Sequence, residues 1–457
     1  MGVKDKMIGE KSEMLDMAVR ICRGYLHGPW KKITKNDIVL KRISGGLSNY
    51  LYHVKLQKEN AEPSQVLLRF YGQTHGERAI ESLITDSVIF TLLSERRLGP
   101  RLHGIFPGGR IEEYIPARPL KTFELSDSVL SPMIAEKMAA VHAMNVPINK
   151  EPCWLWNTMD RWLQTIEESR QLDIFFNVVY RNHLHKIRSP VLFCHNDMQE
   201  GNILLKLTEA EQHNANEVNG NCTVAEDNNN NNCDKDIVLI DFEYCSYNYR
   251  AFDLANHFIE WTYDYTKEEH PNFSIHRDHY PTHEQMRYHD IILSYQPAYS
   301  LIPGRARTRA TPVRVRASAT PNKSNTGSKR FVKKARVVLC SNPNLIQADS
   351  SEVLVKKNKQ PLMVFINRYL ACVESKTSHG GVASELNTPE HLLMEVKHFS
   401  LASHLFWTLW GIVNAMTSQI PFGYCEYAAE RLDCYFVLKS KLMKNESGVK
   451  RKVIDLD

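Results

Sequence analysis

Several features that define common protein classes are absent from this 457-residue sequence. None of its ten cysteines forms a CxxC pair, and a chain of this length needs no disulfide framework, so we predict reduced thiols. The longest apolar stretch, around residues 405–416, is far shorter than the roughly 20 residues of a membrane span. Stable membrane insertion is therefore not expected.

The sequence also has little net charge and no obvious targeting segment. Its first residues lack the hydrophobic stretch of a signal peptide and are too acidic for a mitochondrial presequence, so a cytoplasmic location is expected. The formal net charge is +5, with 43% hydrophobic and 24% charged residues. This composition is close to the globular average and excludes a wholly disordered or collagen-like chain.

The small positive charge comes from one segment. Residues 293–347 contain eleven Lys and Arg and no Asp or Glu, which leaves 46 basic against 52 acidic residues elsewhere. Basic tracts bind polyanions, but Phe331 is the only aromatic residue within 305–336, and no recognised nucleic-acid fold surrounds the tract. A polyanion binder is thus an alternative function, although we expect no nucleic-acid partner.

Two segments interrupt the otherwise ordinary sequence, and we predict both to be disordered insertions. The first, residues 207–235, includes nine asparagines within 214–232. The second, about 287–358, contains the basic tract and is either a genuine lineage-specific insertion or an intron read through in the gene prediction. Sequencing transcripts across codons 286 to 360 would distinguish these two origins.

The remaining pattern predicts an α+β fold. Three strand-like runs within residues 36–71 are followed by a helical pattern at 76–97 and by two short strands within 101–115. Helical patterns dominate from about residue 127, interrupted by short apolar strands before His195 and before Asp241. Two long helical patterns follow residue 389.

A polar motif lies between two of these apolar strands. His195, Asp197 and Asn202 follow the HxDxxxxN spacing of protein-kinase-like catalytic loops. In such a loop the aspartate accepts a hydroxyl proton, the asparagine binds Mg²⁺, and the histidine anchors the loop. The motif alone is equally compatible with an ordinary polar surface loop.

The order of other motifs favours the catalytic interpretation. Asp241 ends a strand 44 residues after Asp197, where a kinase-like fold carries its second Mg²⁺ ligand. Upstream, a glycine turn at 44–49 suits phosphate binding, Arg69 is a cation on the third strand, and Glu81 on the next helix is a candidate partner for it. Each feature is weak by itself, but their shared order makes coincidence a poor explanation.

The sequence resembles the choline/ethanolamine kinase family, closest to its choline branch. The similar segments, spread over about 36 to 440, include ISGGLSN, VLLRFYG, FCHNDMQEGNILL, ASHLFWTLWGIVNA and, as the most specific, IDFEYCSYNYRAFDLANHFIEW. The resemblance implies a two-lobed protein-kinase-like fold that transfers the γ-phosphate of ATP to choline. Phosphocholine formed in this way enters phosphatidylcholine synthesis. The resemblance also implies a homodimer.

Site residues are carried over from the resemblance position by position. Asp197 matches the catalytic base, and Asn202 and Asp241 match the Mg²⁺ ligands. The positions that match nucleotide-binding residues are Ser44, Gly45, Gly46, Leu47, Ser48, Asn49, Arg69, Glu113, Ile115, Gln199 and Asp241. Glu113 replaces an expected glutamine, which leaves the backbone of Ile115 as the remaining adenine contact.

A choline site is also expected on physical grounds. A quaternary ammonium has no N–H to donate, so a selective site needs aromatic faces and a carboxylate. The residues that match the family's choline site are Tyr244, Glu260, Tyr265, Trp407, Trp410, Phe422 and Tyr427. An ordinary hydrophobic core is the alternative explanation for tryptophans at helical spacing.

We therefore predict an N-terminal lobe at residues 1–116, a C-terminal catalytic and choline-binding lobe at 117–441, and a polar tail at 442–457. We expect the enzyme to accept ethanolamine as a second substrate. In the nearest alternative function, an ethanolamine kinase, ethanolamine would be the main substrate. A catalytically inactive scaffold is a further alternative, because an insertion of this size can disturb a fold. The presence of all expected chemical residues argues against it.

Overall fold

The computed structural model describes residues 11–43, 49–57, 62–71, 77–169, 184, 186–208, 211, 235–280, 361–376 and 384–454. The chain forms two compact units. The first unit comprises Met1–Glu151, Val191–Trp261 and Val364–Val382, and the second comprises Pro152–Pro190, Thr262–Met363 and Ala383–Asp457. This partition differs from the predicted lobes at 1–116 and 117–441, which stay a prediction. The predicted insertions lie almost entirely outside the described residues.

A five-stranded antiparallel sheet begins the first unit. Its strands, in the spatial order β1-β2-β3-β5-β4, are β1 (Ile38–Ile43), β2 (Asn49–Leu56), β3 (Gln65–Tyr71), β5 (Gly109–Glu113) and β4 (Leu102–Phe106). The helix α2 (Glu77–Glu95) connects β3 to β4. The strands and helix predicted for this region are confirmed.

One face of this sheet is covered by a helix that the sequence patterns did not identify. Helix α1 (Lys11–Tyr25) contributes Ala18 and Cys22 to a core that includes Val54, Val66 and Leu68. Burial of each large aliphatic side chain contributes roughly 1.5–3 kcal/mol. Because β3 alternates its side chains, Arg69 points to the opposite face of the sheet, away from this core.

The rest of the first unit frames the predicted catalytic loop. Strand β7 (Val191–Cys194) pairs with β10 (Ser246–Tyr249). A three-stranded antiparallel sheet is formed by β6 (Ala117–Pro119), β8 (Ile203–Lys206) and β9 (Ile237–Leu239). The helices of this part of the unit are α3 (Leu130–His142), α5 (Arg250–Glu260) and α6 (Pro361–Lys376), and α6 belongs to the unit from Val364 onward.

The second unit is mainly helical, as the sequence predicts. Its elements are α4 (Cys153–Glu168), β11 (Tyr263–Asp264), β12 (Ser274–Ile275), α7 (Pro389–Thr417) and α8 (Tyr424–Ile454). Thr388 caps α7 by accepting the His391 N–H, and Pro389 occupies its first turn, where no partner for an N–H is needed. The helices α7 and α8 approach closely where Gly411 meets Ala428.

Among the helices in the described ranges, none has the length and apolar character needed to span a membrane. The seven cysteines in those ranges are all free thiols, as predicted.

Close packing at Gly109 gives a stability prediction. A Cβ at this position would lie 2.2 Å from the backbone oxygen of Arg69 and 2.6 Å from the Phe106 ring. Gly109→Ala should therefore push β5 from β3 and lower the free energy of unfolding by about 2 kcal/mol or more. Urea denaturation measures this. Gly24→Ala, at an open helical position, is the control, and equal stability of the two variants would refute the prediction.

Candidate active site

The loop from His195 to Asn202 connects β7 to β8, and His195 anchors it. The buried imidazole donates from Nε2 to the Ile240 carbonyl at 3.1 Å, and its Nδ1 accepts the Asp197 N–H at 3.3 Å. Burial lowers the pKa of His195, while the charge of Asp253 partly opposes that effect. A neutral imidazole satisfies both contacts, which supports the anchoring role expected from the motif.

A buried carboxylate holds the same loop through its backbone. Asp253, on α5, accepts the N–H groups of His195 at 2.9 Å and Asn196 at 2.8 Å. It also bonds His142 Nε2 at 3.0 Å, and His142 Nδ1 bonds the Tyr369 hydroxyl at 2.7 Å. Burial alone would raise the pKa of Asp253, but its contacts with His142 outweigh that cost and hold the pKa below its ordinary value. Asp253 is therefore ionised and fixes the start of the loop.

Asp197 and Asn202 converge, as their spacing predicts. Asn202 Nδ2 donates to the Asp197 carboxylate at 2.8 Å and to the Asp197 carbonyl at 2.9 Å. The backbone carbonyl of Asn202 accepts the Ile240 N–H at 3.0 Å, which ties the loop to the strand before Asp241. Asp197 itself is half-buried. The geometry thus presents one carboxylate, with its amide partner, at the end of two strands.

Negative charge is concentrated around Asp197. Burial of Asp197 raises the pKa of its carboxyl group well above the ordinary value. The negative charges of Glu260, Asp241 and Glu243 raise this pKa further. Asp241 occupies a left-handed backbone conformation, with φ 63°, and its side chain is 38% exposed. Four neighbouring carboxyl groups of this kind are stabilised by any cation that binds among them.

The donor set fits Mg²⁺. Asn202 uses its Nδ2 on Asp197, so its carbonyl oxygen remains as the metal-binding atom of the amide. Asp241 supplies a partly exposed carboxylate, and oxygen ligands together with substrate phosphates are the usual environment of Mg²⁺. Burial is the largest cause of the raised pKa of Asp197, and a bound divalent cation would oppose both this cost and the crowded negative charge around the carboxyl group.

The strand cation Arg69 has a partner other than Glu81. Arg69 Nε and Arg110 Nε each donate to Oε1 of Glu112 at 2.7 Å, and all three side chains are buried. Burial would raise the pKa of Glu112, but the two guanidinium groups outweigh it and lower the pKa. Arg69 also lies 3.9 Å from Asp241. The side chain of Glu81 lies outside the described part of the chain.

The remaining nucleotide-binding positions are described unevenly. Residues 44–48 of the predicted glycine loop, and the side chain of Asn49, lie outside the described residues. Glu113 is exposed and accepts the backbone N–H of Arg101 at 3.0 Å. Ile115 follows it and is half-buried, and Gln199 accepts the Gly201 N–H at 3.3 Å. The Glu113 side chain is thus held against β4.

The predicted choline-site residues belong to both units. Tyr244 and Glu260 lie in the first unit, where Glu260 is buried at the end of α5 and is one of the carboxylates that raise the pKa of Asp197. The other five belong to the second unit and form one aromatic cluster there: Tyr265, Trp407, Trp410, Phe422 and Tyr427.

Edge-to-face contacts organise this aromatic cluster. The Trp407 and Trp410 ring centroids are 5.4 Å apart at 74°, and the Trp410 and Tyr427 centroids are 5.8 Å apart at 76°. Trp407 and Tyr427 are buried, whereas Trp410, Phe422 and Tyr265 are half-buried. Arg431 donates to the Tyr427 hydroxyl at 3.0 and 2.8 Å. The rings are therefore fixed in orientation while part of the cluster remains accessible.

Sequence reasoning missed several residues that position the site. Glu112 shares a strand face with Arg110, but only the pairing of β3 with β5, which places Arg110 opposite Arg69, brings Glu112 to Arg69. Asp253 lies within the similar segment IDFEYCSYNYRAFDLANHFIEW, but nothing in its spacing identifies the backbone groups that it binds.

His257 contacts the catalytic loop and generates a pH prediction. Its Nδ1 donates to the Met198 carbonyl at 2.8 Å, and its Nε2 accepts the Trp261 indole N–H at 3.2 Å. Burial lowers the pKa of His257 from 6.5 to about 4. The unfolded chain therefore binds a proton at this residue between those pH values while the folded chain does not, and stability falls as the pH falls.

We expect this histidine to cost roughly 3 kcal/mol of stability between pH 6.5 and pH 4. Urea denaturation across that range should show a smaller acid-dependent loss in His257→Asn than in the unmodified protein. His270, an exposed histidine, provides the control variant His270→Asn, which should keep the original pH dependence. Parallel pH profiles for His257→Asn and the unmodified protein would contradict the assignment.

Taken with the sheet and its buried cation, the convergence of Asp197, Asn202 and Asp241 defines a protein-kinase-like phosphotransferase. A sequence model of the choline/ethanolamine kinase family matches residues 40–299 and 342–436. The chain belongs to the choline/ethanolamine kinase family. The predicted fold class and resemblance are thereby confirmed.

Individual relatives agree with this assignment. The rat choline/ethanolamine kinase is 36% identical over 444 residues, covering 93% of this chain and 86% of the rat protein. Mouse choline kinase alpha is 33% identical over 457 residues, covering 92% of this chain and 80% of the mouse protein. The crystal structure of a Cryptosporidium parvum choline kinase has a TM-score of 0.57 at 21% identity, covering 94% and 97% of the two chains, and this likeness supports the fold.

The family match also delimits the basic tract. Residues 300–341, which separate the two matched ranges, contain all eleven Lys and Arg of the basic segment. They lie outside the described residues. The excess of positive charge therefore belongs to a part of the sequence that the family pattern does not include.

Proposed function

We propose that this protein transfers the γ-phosphoryl group of ATP to the hydroxyl group of choline, forming phosphocholine and ADP. The observation that carries the proposal is the convergence of Asp197, Asn202 and Asp241 in a chain of this family. ATP is the co-substrate that the family implies. The product is the phosphorylated alcohol from which phosphatidylcholine synthesis proceeds by the CDP-choline route.

Asp197 is the proposed general base. Its carboxylate accepts the proton of the choline hydroxyl as the choline oxygen attacks the γ-phosphorus, and the bond from the γ-phosphorus to the bridging oxygen of ADP breaks. Asn202 holds this carboxylate in position by its 2.8 Å hydrogen bond. Because burial and neighbouring carboxylates raise the pKa of Asp197, it is ionised when the positive charge of bound substrates offsets them.

Nucleotide binding is assigned to the face of the sheet that carries Arg69. Glu112 fixes the Arg69 guanidinium, which then offers its remaining N–H groups to phosphate oxygens. Asn202 and Asp241 are the residues proposed to hold Mg²⁺, which neutralises phosphate charge when it is bound. The loop at 44–49 and Gln199 are proposed to complete the phosphate contacts, and Ile115 to supply a backbone contact to adenine.

The acceptor cation is assigned to the aromatic cluster and to Glu260. Ring faces attract a quaternary ammonium by about 0.5–2 kcal/mol each, and a carboxylate adds direct charge attraction. Glu260 supports the assignment because its negative charge raises the pKa of Asp197, the proposed base. Tyr244 is proposed to line the same acceptor site.

Ethanolamine is the second proposed acceptor. Rat and mouse relatives are named choline/ethanolamine kinases, and the primary ammonium of ethanolamine is a smaller cation with three N–H donors. The aromatic cluster favours choline, because ring faces compensate a methylated cation that makes no hydrogen bonds. We therefore propose choline as the preferred substrate.

Removal of the proposed base is the primary test. Asp197→Ala should lower kcat for choline by a factor of about 10²–10⁴, because proton transfer loses its acceptor. Turnover of choline with Mg·ATP measures this, and normal activity in the variant would reject the assignment. Asp236→Ala removes an aspartate that pairs with Lys206 and should keep its activity.

Truncation of Trp410 tests the acceptor site. Trp410→Leu should lower kcat/KM for choline by about tenfold or more and for ethanolamine by clearly less, because ethanolamine can also bind through N–H hydrogen bonds that choline cannot make. Trp162→Leu makes the same change at a ring that packs on Phe406 in the second unit, and should leave the ratio of the two substrates unchanged. An equal loss for both substrates in Trp410→Leu would argue for a purely structural tryptophan.

Two expectations from the family resemblance complete the proposal. We propose a homodimer, which light scattering tests directly against a monomer mass of 52.7 kDa. We also propose a cytoplasmic location, which fractionation of the source cells tests.

A further inference from the structure

Asn196, between the anchoring histidine and the proposed base, makes contacts that the catalytic motif does not explain. Its backbone adopts φ 68°, and the residue is completely buried. Its side-chain Nδ2 donates to the Tyr244 carbonyl at 2.9 Å, and its Oδ1 accepts the Asn248 side-chain Nδ2 at 2.8 Å. Its own N–H donates to Asp253 at 2.8 Å.

These contacts make three separate chemical demands on position 196. The backbone needs a residue that tolerates the left-handed region, the Tyr244 carbonyl needs a donor, and the Asn248 amide needs an acceptor. Glycine meets the first demand alone. Aspartate meets the first and third, but it cannot donate and would place a charge beside Asp253. Asparagine meets all three.

The two side-chain links join parts of the site that come from different segments. Asp197 follows Asn196 directly, so the orientation of Asn196 sets where the proposed base begins. Tyr244 follows the metal-ligand candidate Asp241 by three residues, and Asn248 lies on β10, which pairs with β7. One buried amide thus connects the base loop to the segment that carries the proposed acceptor contact.

We infer that Asn196 is a positioning residue that fixes Asp197 and Tyr244 relative to each other through its side-chain amide. The inference deepens the proposed function and rests on it, since it assigns Asp197 to the hydroxyl proton and Tyr244 to the acceptor. A displacement of about 1 Å at such a site can reduce turnover on the order of 100-fold. The role of Asn196 is therefore measurable in kinetics.

The test uses Asn196→Gly in the full-length protein. Glycine keeps the left-handed backbone without strain and removes both side-chain links. We expect kcat for choline to fall at least tenfold and KM for choline to rise several-fold, with KM for ATP within twofold of the original. The kcat of Asn196→Asp for choline should also fall, because an aspartate side chain cannot donate a hydrogen bond to the Tyr244 carbonyl. Wild-type kcat and choline KM in Asn196→Gly would overturn the inference.

Asn272 provides a matched control. It also has a positive φ, of 66°, and its side-chain Nδ2 donates to a backbone carbonyl, that of Glu268, at 2.7 Å. Asn272→Gly makes the same chemical change in the second unit, outside the catalytic loop, and should leave all three kinetic constants unchanged. The stoichiometry of ATP-analogue binding measures the fraction of folded protein in Asn196→Gly. A fall in kcat no larger than the fall in that fraction would indicate a purely structural role for Asn196 and would also overturn the inference.

A second variant covers failure of Asn196→Gly to fold. Asn248→Ser removes one donor to Asn196 and leaves the backbone at 196 intact, so we expect a smaller fall in kcat in the same direction. Unchanged kinetics in this variant would overturn the inference. Absence of choline turnover in the unmodified protein would instead reject the proposed function, so the two failures are distinguishable.

Discussion

The Asp253 carboxylate is the constraint on which the proposed active site depends. It accepts two consecutive backbone N–H groups at the start of the catalytic loop and a third hydrogen bond from His142. Burial of an ionised group is costly, and three hydrogen bonds offset that cost. Because the loop is held through its backbone, the side chains of Asp197 and Asn202 remain available for chemistry. Helix α5 therefore acts as a rigid support for a loop that would otherwise have two buried, unsatisfied backbone donors.

The proposed site concentrates negative charge around Asp197. Burial raises the pKa of Asp197, and repulsion from Asp241, Glu243 and Glu260 raises it further. The same arrangement suits a reaction whose substrates carry Mg²⁺ and a quaternary ammonium, since each cation relieves that repulsion. Arg69 would cancel part of this negative charge, but its closer contact is with Glu112. Glu112 therefore holds the guanidinium in place, 3.9 Å from the Asp241 carboxylate.

Much of the fold was predictable because its signals are local. Strand alternation and helical spacing identified β1 to β5, α2, α7 and α8, and the ends of these elements agree within a few residues except at the end of α8, which continues to Ile454 through most of the segment 442–457 predicted as a polar tail. Helix α1 was missed, although Ala18, Ile21 and Cys22 have helical spacing and enter the core. For the candidate site, the spacing of Asp197 and Asn202 was sufficient to predict their contact. The partner of Arg69 was not predictable in this way, because Glu112 meets it across a strand pairing 43 residues distant in sequence.

The sequence by itself determined the family, the order of the motifs and the types of chemical group at the site, because those depend on residue identity and local spacing. It also located the positive charge in a segment outside the family pattern. Tertiary structure decided which groups hold the catalytic residues in place. Asp253, Asn248 and Glu112 act through contacts between residues far apart in the chain, with directions and distances that no local pattern encodes. Only the folded chain brings those donors and acceptors within hydrogen-bonding range.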